Sequence, residues 1–75
     1  MHNYHSDQAV VERLVGRTLP DVERDLILAT LRQTDGNRTH AAKLLDIAIR
    51  TLRNKISLYQ AEGYEVPEPS QPLTQ

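Results

Sequence analysis

Residues 36–56, GNRTHAAKLLDIAIRTLRNKI, constrain the fold most, because they have the pattern of two short helices joined by a tight turn. Ala42 is small, so the two helices can approach closely. After the turn, Ile47, Leu52 and Ile56 supply an apolar face. The opposite face of the second helix offers Arg50, Arg53, Asn54 and Ser57, with Lys55 nearby. Such side chains hydrogen-bond to base edges and phosphates, so the pattern predicts a contact with DNA.

The size of the chain limits what it can stabilise alone. Its 75 residues make one small domain, and a core of this size supplies only about 3–5 kcal/mol without covalent or metal staples. The chain has no cysteine, which excludes disulfides and thiolate metal sites. No apolar run approaches the roughly 20 residues of a membrane span, and no secretory signal is visible. We therefore expect association with another chain and no membrane contact.

The charge is unevenly distributed along the chain. A net charge of −1 argues at first against a nucleic-acid partner. Residues 36–59, however, carry five basic side chains and one acidic one, while the segments on either side are acidic. A compact basic face on a nearly neutral body favours a focused DNA contact with weak non-specific adhesion.

The first half of the chain has the periodicity of two helices. A first helix is predicted over about residues 6–15, with an apolar stripe on a short polar rod. A second helix follows Thr18, a capping residue, with Pro20 in its first turn where no donor is needed. It is predicted to run to Thr34 or Asp35 and to end at Gly36.

The second half predicts two more helices, which makes the fold class all-α. The third runs over about residues 38–45 and is capped by Asn37. The fourth runs over about residues 49–61, with Gly63 just beyond its end and Tyr59 on its inward stripe.

The apolar residues of the second helix cover more than one narrow stripe, which indicates burial on two sides. One side suits the turn-linked helix pair, and the other suits the first helix or a second subunit. A monomer of this size could hardly cover both, so we expect a homodimer. The residues assigned to its interface are Val10, Val11, Leu14, Val15, Val22, Leu26 and Ile27.

Three segments divide the chain. Residues 1–5 are predicted to be a flexible terminus and residues 6–63 the folded domain. Residues 64–75 contain three prolines and only two aliphatic side chains. Such a composition buries too little surface to order itself, so this segment is predicted to be a disordered, Pro-rich tail.

The helix pair resembles the helix-turn-helix of the Fis family. The motifs that carry the resemblance are Gly-Asn-x-Thr-x-Ala-Ala before the turn and Arg-Thr-Leu-Arg-x-Lys after it. Residues 9–63 are similar to the C-terminal DNA-binding domain of NtrC-type enhancer-binding activators, and most of all to flagellar FlbD-like regulators of alphaproteobacteria. The resemblance implies a four-helix protomer whose first two helices dimerise and whose last two present a DNA-reading face.

The resemblance also assigns roles to individual residues. The start of the third helix would contact phosphates, and the fourth helix would be the recognition helix in a major groove. Arg53 is expected to read a base, because arginine can donate two parallel hydrogen bonds to a guanine edge. The residues assigned to DNA are Asn37, Arg38, Thr39, His40, Ile49, Arg50, Thr51, Arg53, Asn54 and Lys55.

The chain departs from the family at three positions near the turn. Asp46 stands where glycine is usual, although the position normally needs a left-handed backbone. Ala48 stands where Ser or Asn commonly caps the recognition helix. Ile49 is aliphatic where some members are polar, so it could touch a thymine methyl or simply pack.

The sequence contains no arrangement typical of an enzyme. It has no paired carboxylates, no nucleophile triad and no metal-ligand cluster, so we expect no catalysis and no cofactor. It also lacks the Gly-x-x-x-x-Gly-Lys-Ser/Thr phosphate loop of the activators' ATPase domain. The numbering from Met1 favours a free-standing protein over an excised domain.

Two functions remain open. The first is a sequence-preferring homodimer that binds double-stranded DNA in transcriptional regulation, in the bacterial cytoplasm and on the nucleoid. The second is a protein-interaction module that forms mixed dimers with a full-length enhancer-binding activator and titrates it.

Overall fold

The computed structural model describes residues 4–70, with side chains from Gln8 onward; residues 1–3 and 71–75 lie outside it. The described chain forms four helices and contains no strand, which confirms the all-α prediction. The helices are α1 (Tyr4–Glu12), α2 (Leu19–Gln33), α3 (Arg38–Leu45) and α4 (Ile49–Ala61).

The core lies between α2, α3 and α4, and none of the described side chains of α1 belongs to it. Leu31 and Leu52 are fully buried at its centre. Ala41 and Ala42 are also buried, and their small size lets α3 lie close to its neighbours. The remaining buried apolar residues are Ile27, Leu28, Ile56, Tyr59 and Val66.

Local hydrogen bonds set the starts of α2 and α3. The Thr18 hydroxyl accepts a bond from the backbone N–H of Asp21 at 3.1 Å, as the capping pattern predicts. The Asn37 side chain accepts one from the backbone N–H of His40 at 2.9 Å. Both helices therefore begin where the sequence places them.

The ends of three helices share the Schellman geometry, in which a left-handed residue reverses the chain. At the end of α3 that residue is Asp46, and the Ile47 N–H donates to the Ala42 carbonyl at 3.0 Å. At the end of α2 the left-handed backbone begins at Asp35, with φ 53°, and not only at the predicted Gly36. Asp adopts this conformation more readily than most residues, because its short polar side chain can form local hydrogen bonds.

Helix α1 differs from its predicted bounds. It begins at Tyr4, so residues 4–5 are helical and not part of a loose terminus, and it ends at Glu12 rather than near Val15. Residues 13–16 form a turn instead, with Gly16 at φ 101°. A glycine in a positive-φ conformation reverses the chain before α2.

Most residues assigned to the dimer interface lie on the protomer surface, but Ile27 does not. Ile27 is only 2% exposed, because it packs into the core of its own protomer. Periodicity identifies the apolar residues of α2, but it does not show which of them pack in the protomer core and which remain for a partner. Val22 and Leu14 are half-buried. The residues that remain exposed are Val10, Val11, Val15 and Leu26, together with the unpredicted Leu19.

The prediction of a disordered tail is wrong for residues 64–70, which we call the strap; residues 71–75 lie outside the described chain. The strap is extended and packs back on the helices. Val66 enters the core with 8% exposure, and the Ser70 N–H donates to the Asp35 carbonyl at 2.8 Å. One buried side chain and a few long-range bonds order a segment whose composition predicts no regular structure.

Candidate nucleic-acid interface

The outer face of α4 carries the polar side chains that the sequence assigned to DNA. Leu52, Ile56 and Tyr59 bury the inner face of the helix. Residues three and four apart share a helix face, so the outer side chains form one continuous surface. The exposed residues on it are Arg50, Thr51, Arg53, Asn54 and Ser57.

The start of α3 lies next to this surface. Arg53 of α4 lines one shallow depression together with Asn37 and Thr39. His40 is exposed one residue further along α3. The structure thus brings the predicted phosphate contacts of α3 and the predicted base contact of α4 to the same side of the molecule. The N-terminus of α3 adds partial positive charge there.

Arg38 lies at the edge of the same depression but is held from within the protomer. Its Nη1 donates to the carbonyl oxygens of Gly36 at 2.8 Å and Pro67 at 2.6 Å. Both acceptors are neutral, so the guanidinium keeps its charge while its position is restricted.

Two residues assigned to DNA point toward the protein instead. Ile49 is half-buried and packs against the core, which is the second of the two roles its side chain allowed. Lys55 is half-buried, and its Nζ lies 2.5 Å from Glu23 Oε2 of α2. The hydrogen bond from Lys55 to Glu23 raises the pKa of the Lys55 ammonium, with burial acting the opposite way.

The ion pairs between described side chains lie away from the outer face of α4. Arg17 pairs with Asp25, and Arg24 bridges Asp21 and Asp25 at 3.2 Å. The hydrogen bond from Arg17 holds the pKa of the Asp25 carboxyl below its usual value, helped by Arg24 and opposed by desolvation.

The cations of the interface are not neutralised in this way. Within the described chain, Arg38, Arg50 and Arg53 form no ion pair. The acids of α2 are thus paired with Arg17, Arg24 and Lys55. The outer face of α4 keeps its positive charge for a polyanion.

The turn between α3 and α4 has the two weaknesses that the sequence indicates. Asp46 adopts φ 57° and ψ 46°, the left-handed conformation that glycine adopts without strain. Ala48 occupies the N-cap of α4, and no side chain accepts a hydrogen bond there. The turn nevertheless closes through the bond from Ile47 to Ala42.

The strap is the part of this region that sequence reasoning missed. Pro69 and Ser70 line the depression beside Arg53. The sequence offers two weak signals: one valine among prolines, and a glycine at position 36 that the end of α2 already accounts for. Neither shows which distant residues meet.

The described residues offer little for other kinds of site. No group of three or more His, Asp or Glu side chains among the described side chains, residues 8–70, is placed to hold a metal ion. None of the described helices is long and apolar enough to cross a membrane.

Comparisons with known proteins agree with this geometry. The family model described as "Bacterial regulatory protein, Fis family" matches residues 18–59. The chain is 51% identical over 61 residues to the "Transcriptional regulatory protein FlbD" of Caulobacter vibrioides, a match that covers 81% of this chain and 13% of that protein.

A second regulator gives a shorter match. The "Transcriptional regulatory protein ZraR" of Salmonella typhimurium is 51% identical over 39 residues, which is 52% of this chain and 9% of that protein. The chain thus spans only a small part of these relatives. No solved structure matches it.

Proposed function

The chain belongs to the Fis family of bacterial regulatory proteins, and we propose that it is a homodimer that binds double-stranded DNA to regulate transcription. Helix α4 enters the major groove, and Arg53 reads a base edge. Arg50, Thr51 and Asn54 border that contact. We place this activity in the bacterial cytoplasm, on the nucleoid.

The observation that carries the proposal is the unneutralised outer face of α4. Arg50 and Arg53 are exposed and form no ion pair with a described side chain, whereas Lys55 on the same helix is paired with Glu23. Phosphates provide the affinity of such a face for DNA, and base edges provide its sequence preference.

The apolar surface of α1 and α2 supports the dimer. Val10, Val11 and Leu26 are each more than half exposed, and Val15 is 83% exposed. We propose that these side chains form one apolar patch, of the kind that marks a protein contact. A two-fold dimer would present two copies of α4 to half-sites about 34 Å apart, or less if the DNA bends.

Base reading is tested by comparing Arg53→Ala with Arg13→Ala. Both substitutions remove one exposed arginine, but Arg13 lies in the turn after α1 and lines no depression with Arg53. Duplexes are selected from a random oligonucleotide pool with the unaltered protein, and affinities are then measured by fluorescence anisotropy. Arg53→Ala should lose about 1–3 kcal/mol and relax the preference at one base position.

Arg13→Ala should stay within about 0.5 kcal/mol, as surface substitutions away from a binding site and from the core usually do. Equal losses from the two substitutions would show that Arg53 contributes only charge, and the proposed base contact would be wrong.

The dimer is tested separately by sedimentation velocity. Leu26→Asp places a carboxylate in the apolar surface of α2 and should shift the protein to monomers. Leu44→Asp is the control, because Leu44 is a similarly exposed leucine on α3, at 61% against 56%. An unaltered protein that sediments as a monomer at micromolar concentration would contradict the dimer.

A second function is favoured by the uncapped start of α4 and the strained Asp46, which weaken the turn that positions the recognition helix. In that case the exposed α1–α2 surface forms mixed dimers with a full-length enhancer-binding activator and titrates it. A folded dimer without salt-sensitive DNA binding at micromolar concentration would favour this alternative.

A further inference from the structure

The strap is attached to the helices at several separate points. The Val66 side chain fills part of the core, and the Arg24 guanidinium lies over the Tyr64 ring at 4.5 Å from its centroid. Ser70 donates its backbone N–H to the Asp35 carbonyl. These contacts run along the whole described length of the strap and hold it across the turn between α2 and α3.

The turn accommodates the strap closely at Gly36. A Cβ atom added to Gly36 would lie 2.2 Å from the carbonyl oxygen of Glu68, which is far inside contact distance. Gly36 also has φ 80°, a conformation that other residues rarely adopt. Position 36 therefore requires glycine for two reasons, and one of them is the passage of the strap.

The strap fixes Arg38. Pro67 lies 29 residues further along the chain, yet its carbonyl oxygen accepts from Arg38 Nη1 at 2.6 Å. The Gly36 carbonyl accepts from the same nitrogen. A cation held by neutral acceptors loses side-chain freedom before it binds an anion, so less entropy is lost on binding.

Arg38 and the end of the strap border one depression with residues from both DNA-facing helices. Asp35, Arg38, Thr39 and Arg53 line it beside Pro69 and Ser70 of the strap. We propose that the strap is a third element of the DNA interface, which positions Arg38 to bind a backbone phosphate at the edge of the groove. This inference rests on the proposed DNA binding.

The strap also carries two acidic side chains, whose charge opposes DNA binding. Glu65 and Glu68 are exposed and would repel a phosphate. If repulsion dominated, loosening the strap would tighten DNA binding. The proposal requires that loosening the strap weakens DNA binding. The binding gained from a positioned Arg38 then exceeds the repulsion by the two solvent-screened carboxylates.

The test is a double-mutant cycle in the full chain between Val66→Asn and Arg38→Ala. Val66→Asn leaves the net charge unchanged and loosens the strap, because the amide is disfavoured in the apolar core. With DNA titrations over a range of salt, each substitution alone should weaken binding roughly 10-fold per protomer at 0.1 M salt and reduce the salt slope by about 0.9 per protomer.

The two effects should not add, because a loosened strap leaves Arg38 unpositioned. In the Val66→Asn background, Arg38→Ala should then cost less than about 3-fold. A purely structural role of the strap would lower the folded fraction without changing the salt slope. Independent effects, an unchanged slope or tighter binding in Val66→Asn would each overturn the proposal.

A milder pair of variants covers the case in which Val66→Asn does not fold. Ser70→Pro removes the N–H that donates to Asp35, whereas Ser70→Ala keeps it. Ser70→Pro should bind DNA roughly 2- to 10-fold more weakly than Ser70→Ala, as expected for one hydrogen bond. Equal affinities would overturn the proposal.

The failure of this inference differs from failure of the proposed function. If the unaltered protein shows no salt-sensitive DNA binding, the proposed function fails and the strap proposal with it. If Arg53→Ala weakens binding while the Arg38, Val66 and Ser70 variants do not, only the role of the strap is wrong.

Discussion

Lys55 of α4 forms an ion pair with Glu23 of α2, with 2.5 Å between Nζ and Oε2. This pair connects α4 to α2, the helix that carries part of the proposed dimer surface. The sequence groups Lys55 with Arg50 and Arg53 as DNA contacts, but the pair distinguishes Lys55 from them. Lys55 already has a carboxylate partner, whereas Arg50 and Arg53 are exposed and form no ion pair with a described side chain.

The first prediction follows from that difference. Lys55→Gln should leave the salt slope of DNA binding nearly unchanged, because Lys55 is already paired within the protomer. The free energy of unfolding of the Lys55→Gln variant should be lower by no more than about 1 kcal/mol, since the ion pair that it loses is partly exposed to solvent. Arg50→Gln is the matched comparison in both a DNA titration and a denaturant titration. It should reduce the slope by about 0.9 per protomer. Equal slope changes would restore Lys55 as a phosphate contact.

The second prediction concerns the left-handed Asp46. Asp46→Gly should raise the free energy of unfolding by up to about 1 kcal/mol, because glycine adopts φ near 57° without a Cβ clash. Asp46→Ala should lower it, since alanine has no polar side chain to compensate. Asp46→Asn keeps the tolerance and removes the charge, so it separates backbone strain from repulsion of DNA. Urea unfolding that ranks alanine above glycine here would contradict the strain.

The third prediction compares two helix caps. Ala48→Ser supplies the missing N-cap oxygen of α4 and should stabilise the protein by about 0.5–2 kcal/mol. Asn37→Ala removes the cap of α3 and should destabilise it by a similar amount. Thermal unfolding followed by circular dichroism measures both. If serine at position 48 has no effect, the start of α4 gains nothing from a side-chain acceptor.

The fourth prediction is a pH dependence. The pKa of Asp25 is lowered in the folded protein, chiefly by the hydrogen bond from Arg17. Its stabilising effect is therefore complete above the unfolded carboxyl value of about 3.9 and is lost as the pH falls through the lower folded pKa. Asp25→Asn should unfold at a lower temperature than the unaltered protein at pH 6, and the difference should disappear toward pH 2. A difference that persists at pH 2 would assign the effect to something other than ionisation.

The helices that carry the interface could be predicted from the sequence because their signals are local. The predicted residues 38–45 and 49–61 match α3 and α4 as the structure has them. Asn37 caps its own helix three residues on, and Gly63 reverses the chain just after α4. Neither signal needs a distant partner.

The differences arise where a distant partner decides. Glu23 lies 32 residues before Lys55, and no spacing rule shows that the two meet. Ile27 belongs to the protomer core although its neighbour Leu26 is 56% exposed. Val66 enters the core from a segment whose prolines predict no regular structure. Tertiary packing determines each of these outcomes, and periodicity describes only one element at a time.

The central claim is that the unpaired cations around α4 bind DNA phosphates, and the salt dependence of binding tests it most directly. Binding of the unaltered protein to its selected duplex is measured between roughly 50 and 300 mM salt. Over this range the release of counterions from DNA changes the affinity enough to be measured. The logarithm of the association constant should fall linearly with the logarithm of salt concentration, with a slope of about −0.9 for each phosphate contacted. Arg50→Ala should make the slope shallower, whereas Arg53→Ala, which removes the proposed base contact, should mainly relax the sequence preference. Binding whose strength does not change with salt, or no binding by a folded dimer, would contradict the claim.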